Sequence, residues 1–315
     1  MKLNDWLGVL SGLALFLYGM SLMSESLEQL AVKRLKVILE TLTKHRWQAI
    51  LIGVIVTCIL QSSSAMTILL IGFVNVKLMR LENAIWVIMG ANIGTTITGQ
   101  IVALDIGMIA PILAMVGVIL TLVCHRKMYC HMGYVCIGLG FLFIGLDMMS
   151  ISFLPLNDSQ IFINFLDFFS NPFFAVIFAM IFTAIIQSSS ASIAILQGLC
   201  AQGLIPFSQA VYFIFGFDIG TCVTAFLASV TGCLNAKRLA LFHLLMNIIG
   251  MFIFIGLCMF TPLVGYIEIL TQEPMRQIAN MHTFYNIATT LIILLFDKYL
   301  IQLIYILIPN NGKIS

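Results

Sequence analysis

Charged residues are scarce in this sequence. Only 9% of its 315 residues are Asp, Glu, Lys or Arg, while 61% are hydrophobic and the mean hydropathy is +1.09. A soluble domain has about a quarter of its residues charged, so water cannot be the only solvent around this chain. The net charge of +2, with basic residues scattered along the chain, also argues against a nucleic-acid partner.

Charge is absent altogether from several long stretches. About 20 apolar residues are enough to cross the hydrocarbon core of a bilayer, so these stretches predict several membrane-spanning helices in contact with lipid. They are residues 6–23, 47–76, 83–104, 106–124, 168–217 and 239–267.

The sequence also lacks a disulfide framework, because most of its eight cysteines lie in apolar stretches, where a thiol behaves as a small buried hydrophobe. One cluster offers possible transition-metal ligands: Cys124, His125, Cys130 and His131. Its spacing matches neither a CxxC pair nor the CxxCH haem motif, and a basic loop between two spans explains it as well. We therefore expect no transition metal and no bound cofactor.

An internal repeat occurs at one fixed offset. Gln61-Ser62-Ser63-Ser64-Ala65 recurs 126 residues later at 187–191, and the glycine motif at 90–95 recurs at the same offset at 216–221. Residues of the first predicted span also recur 126 positions later in the middle of the chain, which argues against a cleaved signal peptide. A serine run is usually helix-packing glue, but two polar motifs at one offset indicate a duplication. We predict repeat 1 at 1–128, repeat 2 at 129–260, and an external loop, final membrane helix and short cytoplasmic tail at 261–315.

The uncharged stretch 47–76 allows two topologies, because its QSSS motif lies near the middle. Either one long helix crosses, or a hairpin enters and returns with the serines at its tip. The arm 47–60 would be about 21 Å long as a helix, short of the roughly 30 Å of hydrocarbon. With two hairpins, only Lys2 and Arg276 of the fifteen basic residues lie on the outer side. If the QSSS segments crossed the membrane instead, four more basic residues would lie on the outer side: Lys77, Arg80, Arg126 and Lys127. The positive-inside rule therefore favours the hairpins.

The favoured fold is an all-α integral membrane protein of two inverted-topology repeats. Each repeat has a re-entrant helical hairpin with a QSSS tip and a transmembrane helix broken at its glycine motif. About seven full crossings begin near residues 6, 83, 108, 132, 207, 239 and 281, with the amino terminus outside and the carboxyl terminus in the cytoplasm. Leu30–Lys44 is predicted to lie along the cytoplasmic surface, with Asn157–Phe168 as its external counterpart. Inverted repeats are typical of a secondary transporter with its site at the repeat interface.

The QSSS motifs are predicted to face inward, because irregular polar backbone at membrane depth must be buried in protein or solvated in a cavity. A helix beginning just after Ser64 or Ser190 would point its amino-terminal N–H groups at an anion between the hairpin tips. The serine hydroxyls and the amides of Gln61 and Gln187 can donate to an oxyanion or present oxygen to a cation. The pattern predicts an anion site.

The glycine motifs surround one short polar residue, Asn92 in the first copy and Asp218 in the second. Glycine permits a helix to unwind, and unwound carbonyls suit Na⁺. Asp218 is the sole acidic residue between 168 and 236, so we expect a sodium ligand, with a protonated or helix-capping aspartate as the alternative. Nearby threonines offer further hydroxyl oxygens: Thr95, Thr96, Thr98, Thr221 and Thr224.

Two H-x3-N pairs follow the second glycine motif, His243 with Asn247 and His282 with Asn286. The members of each pair lie one helical turn apart. A proton relay is conceivable, but a hydrogen bond that packs two helices together is commoner.

The paired QSSS motifs, the stretch 90–96 with its later echo, and the H-x3-N segments resemble the type II sodium/phosphate cotransporter family of bacteria and animals. The resemblance covers nearly the whole chain. It implies symport of inorganic phosphate with Na⁺ across the cytoplasmic membrane by homodimers whose protomers work separately, with an elevator-like motion by analogy. The chain stops at Ser315 without the PhoU-like domain of many bacterial relatives, so we expect a complete transport core without regulation through such a domain.

The resemblance also carries residue roles onto this chain. The residues expected to bind phosphate are Gln61, Ser62, Ser63, Ser64, Gln187, Ser188, Ser189, Ser190, Asn92 and Thr95. Those expected to bind sodium are Ser63, Thr67, Gln187, Ser189, Ser190, Asp218, Thr221, Thr224 and Asn92. No arginine lies within a predicted span, so helix ends, hydroxyls and bound Na⁺ must balance the phosphate charge.

Three other functions compete with this interpretation. A transporter of another small oxyanion or carboxylate would use the same helix ends and hydroxyls. A serine hydrolase needs a base beside its nucleophile, yet the QSSS segments contain no His, Lys or Asp and no GxSxG turn, so we do not expect an enzyme. A channel is also disfavoured, because two closed hairpin tips suit an occluded site better than an open pore.

Overall fold

The computed structural model describes residues 3–42, 45–104 and 106–310, without the side chains of residues 31–42, 161, 163 and 165. These described residues form α-helices joined by short connections, with one 3₁₀ turn and no strand. The helices are α1 (Leu3–Leu42), α2 (Arg46–Leu60), α3 (Ser63–Asn75), α4 (Leu81–Val102), α5 (Ala110–Val123), α6 (Lys127–Phe153), α7 (Gln160–Phe168), α8 (Pro172–Ile186), α9 (Ser189–Ala201), α10 (Phe207–Ser229), α11 (Leu234–Phe260), α12 (Leu263–Leu270) and α13 (Pro274–Leu307).

The helix bounds repeat at the offset found in the sequence. Helices α2 and α8, α3 and α9, and α4 and α10 each begin 126 residues apart. The predicted external segment 157–168 contains α7, which begins at Gln160. The predicted surface helix Leu30–Lys44 is a continuation of α1, which runs without a break to Leu42, while Lys44 lies outside the described residues.

The equivalent helices α1 and α6 pack against each other in opposite directions. A Cβ atom on Gly12 would lie 2.6 Å from the Gly145 carbonyl, and one on Gly19 would lie 2.5 Å from the Gly138 carbonyl. The two backbones therefore touch directly at glycines. Because Gly138 and Gly145 are the repeat equivalents of Gly12 and Gly19, each contact matches the other, as in a two-fold related pair.

The chain reverses direction at both QSSS motifs. A Cβ atom on Gly90 would meet Ile50, and one on Gly94 would meet Val54, so α2 and α4 run in the same direction. Helix α3 lies between them in the chain and must run back before α4 begins. Gly216 and Gly220 face α8 in the same way. The chain thus forms two helical hairpins, α2–α3 and α8–α9, rather than one long helix at each motif.

The predicted breaks in the glycine-motif helices are wrong. Helices α4 and α10 continue through Asn92 and Asp218 without unwinding, so no free carbonyls are released there for a cation. The glycines serve a different purpose, because Gly90 and Gly216 lie directly against the backbones of α2 and α8, where a side chain would collide. Close helix packing, and not unwinding, accounts for these glycines.

Among the described residues, six helices are long and apolar enough to cross a membrane: α1, α4, α6, α10, α11 and α13. The predicted seventh crossing, near Met108, is α5, which has only 14 residues and is about 21 Å long. It begins at Ala110 with Pro111 in its first turn and ends before Cys124.

Buried apolar side chains form two clusters, one around α6 and α8–α10 and one around α2–α4 and α11, with α13 in both.

Candidate ion and anion site

Each hairpin turns through one left-handed residue followed by a helix cap. Gln61 has φ 54° and Gln187 has φ 60°. The next residue in each case caps the returning helix, since Ser62 Oγ accepts from the Ala65 N–H at 3.1 Å and Ser188 Oγ accepts from the Ala191 N–H at 3.2 Å. The serine after glutamine therefore starts the returning helix, whose first N–H groups lie at the tip.

The two hairpin tips meet at one cavity of about 310 Å³. Both QSSS motifs line it, together with Thr221. The opposite wall comes from α1, where Ser21, Ser24 and the exposed carboxylates of Glu25 and Glu28 face the tips. The structure thus brings together all eight QSSS residues that the sequence assigns to phosphate, and it adds an acidic wall that was not predicted.

A second, much smaller cavity of about 10 Å³ lies where the serines approach the glycine-motif helices. This volume is close to that of one enclosed water molecule, and a bare monatomic ion occupies a comparable space. Its lining combines residues from both repeats with two members of the H-x3-N pairs: Ser63, Asn92, Thr95, Ser189, Asp218, Thr221, His243 and Asn286.

Asp218 is held by one H-x3-N pair. His282 Nε2 lies 3.2 Å from Asp218 Oδ1, and Asn286 Nδ2 donates to Asp218 Oδ2 at 2.8 Å. All three side chains are buried, so the carboxylate is fixed by a bond to each oxygen. It retains lone pairs on the side of the small cavity that it lines.

Asn92, the repeat equivalent of Asp218, is held by the other pair. His243 Nε2 lies 3.1 Å from Asn92 Oδ1, and Asn92 Nδ2 donates to Asn247 Oδ1 at 2.9 Å. The H-x3-N pairs thus form the interhelical hydrogen bonds that the packing interpretation expects. They also fix the polar residue that lies between the two glycines of each motif, a role that the sequence did not predict because the partners lie on different helices.

The motif threonines use their hydroxyl protons within the protein. Thr95 donates to the Ala91 carbonyl at 2.9 Å, and Thr221 donates to the Phe217 carbonyl at 2.9 Å. Only their lone pairs remain for a cation. Thr224 bonds Ser64 Oγ at 3.3 Å, and the buried hydroxyl of Thr67 has no hydrogen-bond partner in the described chain. Neither Thr67 nor Thr224 lines the two cavities.

The two repeats differ in how closely their equivalent helices pack beside the large cavity. A Cβ atom on Gly198 of α9 would lie 3.0 Å from Ser150 Oγ of α6, whereas one on the equivalent Gly72 of α3 would meet nothing within 4 Å. Ser24, the equivalent of Ser150, instead lines the cavity. The helix pair α6–α9 is therefore closed in repeat 2, and the matching space beside α3 in repeat 1 is open.

The possible transition-metal cluster does not assemble in the described chain. Cys130 Sγ lies 2.9 Å from the Cys124 carbonyl oxygen, and no three His, Cys, Asp or Glu side chains of the described residues gather as metal ligands.

Similarity to known proteins agrees with this geometry. The profile of the Na⁺/Pi-cotransporter family matches residues 15–151 and 160–270. The chain belongs to the Na⁺/Pi-cotransporter family. The chain is also 32% identical over 295 residues to a Bacillus subtilis protein named "Uncharacterized protein YqeW", with 93% of the chain and 95% of that protein covered.

Two further relatives carry names that refer to phosphate. The chain is 27% identical over 293 residues to "Putative inorganic phosphate export protein YjbB" of Salmonella typhimurium, with 93% of the chain and 54% of that protein covered. It thus spans about half the length of that relative. A 55-residue segment, 18% of the chain and 8% of the relative, is 51% identical to human "Sodium-dependent phosphate transport protein 2B". No solved structure matches the chain.

Proposed function

We propose that this protein is a secondary transporter that couples inorganic phosphate to sodium by symport across the cytoplasmic membrane. The observation that carries this proposal is the meeting of both QSSS tips at one cavity, with Asp218 and Asn92 lining a second cavity of single-ion size beside Ser63 and Ser189. Phosphate suits the large cavity, because helix amino termini and hydroxyls donate to oxyanion oxygens. Sodium suits the small one, because carboxylate and hydroxyl oxygens are ligands for hard cations.

The charges around the cavity support sodium coupling. Of the described residues that line either cavity, none is Lys or Arg, while Glu25 and Glu28 lie opposite the hairpin tips. A phosphate dianion would meet repulsion from this acidic wall unless cations bound with it. We therefore expect phosphate affinity to rise steeply with sodium concentration.

The topology we propose has inverted repeats and re-entrant hairpins. Two observations support it: the antiparallel packing of the equivalent helices α1 and α6, and the reversal of the chain between α2 and α4. The hairpin arms have 15 and 13 residues, shorter than the roughly 20 needed to cross. Together with the positive-inside rule, these lengths support our proposal that the amino terminus lies outside and that the cavity opens toward the cytoplasm. We retain the homodimer with independent protomers as part of the proposal.

Transport fits the site better than hydrolysis does. Ser63 and Ser189 share the small cavity with His243, but His243 Nε2 bonds Asn92 Oδ1 and makes no hydrogen bond to a serine hydroxyl in the described chain. An activated serine requires such a bond to its base.

Uptake of labelled phosphate into proteoliposomes tests this function directly. The expected result is uptake that requires an inward sodium gradient and is not inhibited by sulfate or dicarboxylates. Uptake that is equal with a potassium gradient would refute sodium coupling. Strong inhibition by sulfate or a dicarboxylate would favour a carrier of that other anion. Loading the vesicles with phosphate and reversing the gradient measures export, the direction that the name of the Salmonella relative describes.

A further inference from the structure

The two QSSS motifs are identical in sequence, but their glutamines differ in environment. Gln61 is only 7% exposed, and both ends of its amide are used: Nε2 donates to the Cys58 carbonyl at 2.5 Å, and Oε1 accepts from Thr98 Oγ1 at 2.8 Å. Gln187 is exposed on the cavity wall. Its side chain forms no hydrogen bond within the described chain.

The difference arises from the threonines that follow the glycine motifs. Thr98 ties Gln61, and with it the first tip, to α4. Its repeat equivalent is Thr224 on α10, which bonds Ser64 Oγ at 3.3 Å and the Thr221 carbonyl at 2.8 Å instead of Gln187. The first tip is therefore tied through side chains to α4 and to α10. Gln187 receives no corresponding bond.

Near its tip the second hairpin is cross-linked within itself, whereas Gln197, farther along α9, donates to the Gly99 carbonyl of α4 at 3.0 Å. Thr183 on α8 donates to Ser192 Oγ on α9 at 2.8 Å. The equivalents in the first hairpin are Thr57 and Met66, and the buried Thr57 hydroxyl has no partner in the described chain. Thr98 thus holds the glutamine of the first tip, whereas neither the Thr183 bond nor the Gln197 bond involves the glutamine of the second tip, which remains available.

We propose that the two glutamines have different roles at the phosphate site, an inference that rests on the proposed function. Gln187 donates its amide N–H to a phosphate oxygen in the large cavity, and Gln61 with Thr98 acts as a positioning pair that holds the first tip. An amide group with two free N–H donors beside an anion cavity is suited to contact. A glutamine already bonded at both ends is suited to hold the first tip against α4 and has no free amide group for a ligand.

Kinetic variants separate the two roles. Gln187→Ala should raise the KM for phosphate about ten-fold, the effect of losing one hydrogen bond to a charged group, with kcat and the midpoint of thermal unfolding nearly unchanged. Thr98→Val should lower the unfolding midpoint and kcat and change the KM by less than about two-fold. Gln61→Leu should have the same kinetic effect and lower the unfolding midpoint further, because it also removes the bond to the Cys58 carbonyl. The double variant should be no worse than Gln61→Leu alone, because the bond to Thr98 is already lost.

The matched control is Thr57→Val, the same substitution at a fully buried threonine of the first hairpin whose hydroxyl has no partner. It should leave the KM and kcat unchanged and should not lower the unfolding midpoint, because no hydrogen bond is lost. If Gln61→Leu does not fold, Thr98→Val still tests the positioning role.

Two outcomes would overturn the division of roles. One is an unchanged phosphate KM in Gln187→Ala, and the other is a rise in KM in Thr98→Val equal to that in Gln187→Ala. Either result in a preparation whose wild-type protein shows sodium-driven uptake refutes this inference alone. Absence of uptake by the wild-type protein refutes the proposed function instead.

Discussion

Replacing Asp218 by asparagine would remove the one carboxylate that lines the small cavity while keeping its size and most of its bonds. Repeat 1 shows how an amide is accommodated at this place, because Asn92 pairs with His243 through Oδ1 and donates from Nδ2 to Asn247. The substituted amide can form the same two bonds once Asn286 presents its oxygen, at the cost of the bond from Asn286 Nδ2 to the His282 carbonyl. We therefore expect Asp218→Asn to fold, with the free energy of unfolding lowered by about 1–2 kcal/mol for the exchanged hydrogen bond.

The effect on sodium should be larger than the effect on folding. Two unit charges about 4 Å apart attract by about 4 kcal/mol at an effective dielectric constant of about 20. An amide oxygen still ligates Na⁺ and restores roughly half of this, leaving a loss of about 2 kcal/mol. That loss corresponds to about a 30-fold rise in the sodium concentration for half-maximal uptake, while the phosphate KM at saturating sodium should change little.

Sodium activation curves of phosphate uptake in proteoliposomes measure this shift. Asp297→Asn is the matched control, since Asp297 is also a buried aspartate of a long helix, 4% exposed against 7% for Asp218, and accepts a hydrogen bond from Trp86 at 3.1 Å. It lines neither cavity. It should lose similar stability without moving the sodium midpoint. A folded Asp218→Asn protein with an unchanged midpoint, or an equal shift in Asp297→Asn, would refute the sodium assignment.

Three further predictions concern substrate, motion and topology. Ser189→Leu should abolish uptake, because the added side chain is larger than the small cavity of about 10 Å³ and blocks it; uptake above one tenth of the wild-type rate would contradict this. Oxidation of a Ser150→Cys, Gly198→Cys protein should block uptake and a reductant should restore it, because the disulfide holds α6 closed on α9; undiminished uptake in the cross-linked protein would show that this contact need not open. Lys77→Cys should react with an impermeant maleimide only after the membrane is opened, and labelling in intact cells would overturn the proposed orientation.

The repeat and the reversal at the serines follow from local rules that the sequence displays. A left-handed residue followed by a capping serine ends one helix and begins the next, and the same order of residues at 61–62 and 187–188 produces the same turn. The glycine motifs, in contrast, led to a wrong prediction of broken helices. Glycine permits both unwinding and close packing, and only the neighbouring backbone of α2 or α8 decides between them.

The sequence by itself determined that the chain is helical, lies in a membrane, is duplicated, and carries two polar motifs that suit an anion and a cation. These features depend on composition and on contacts between residues close in the chain. The tertiary structure alone decided that His282 and Asn286 hold Asp218, that His243 and Asn247 hold Asn92, and that Gln61 is bonded to Thr98 while Gln187 is not. The physical reason is that these partners lie on different helices, and two identical motifs receive different neighbours once the repeats pack around a single cavity.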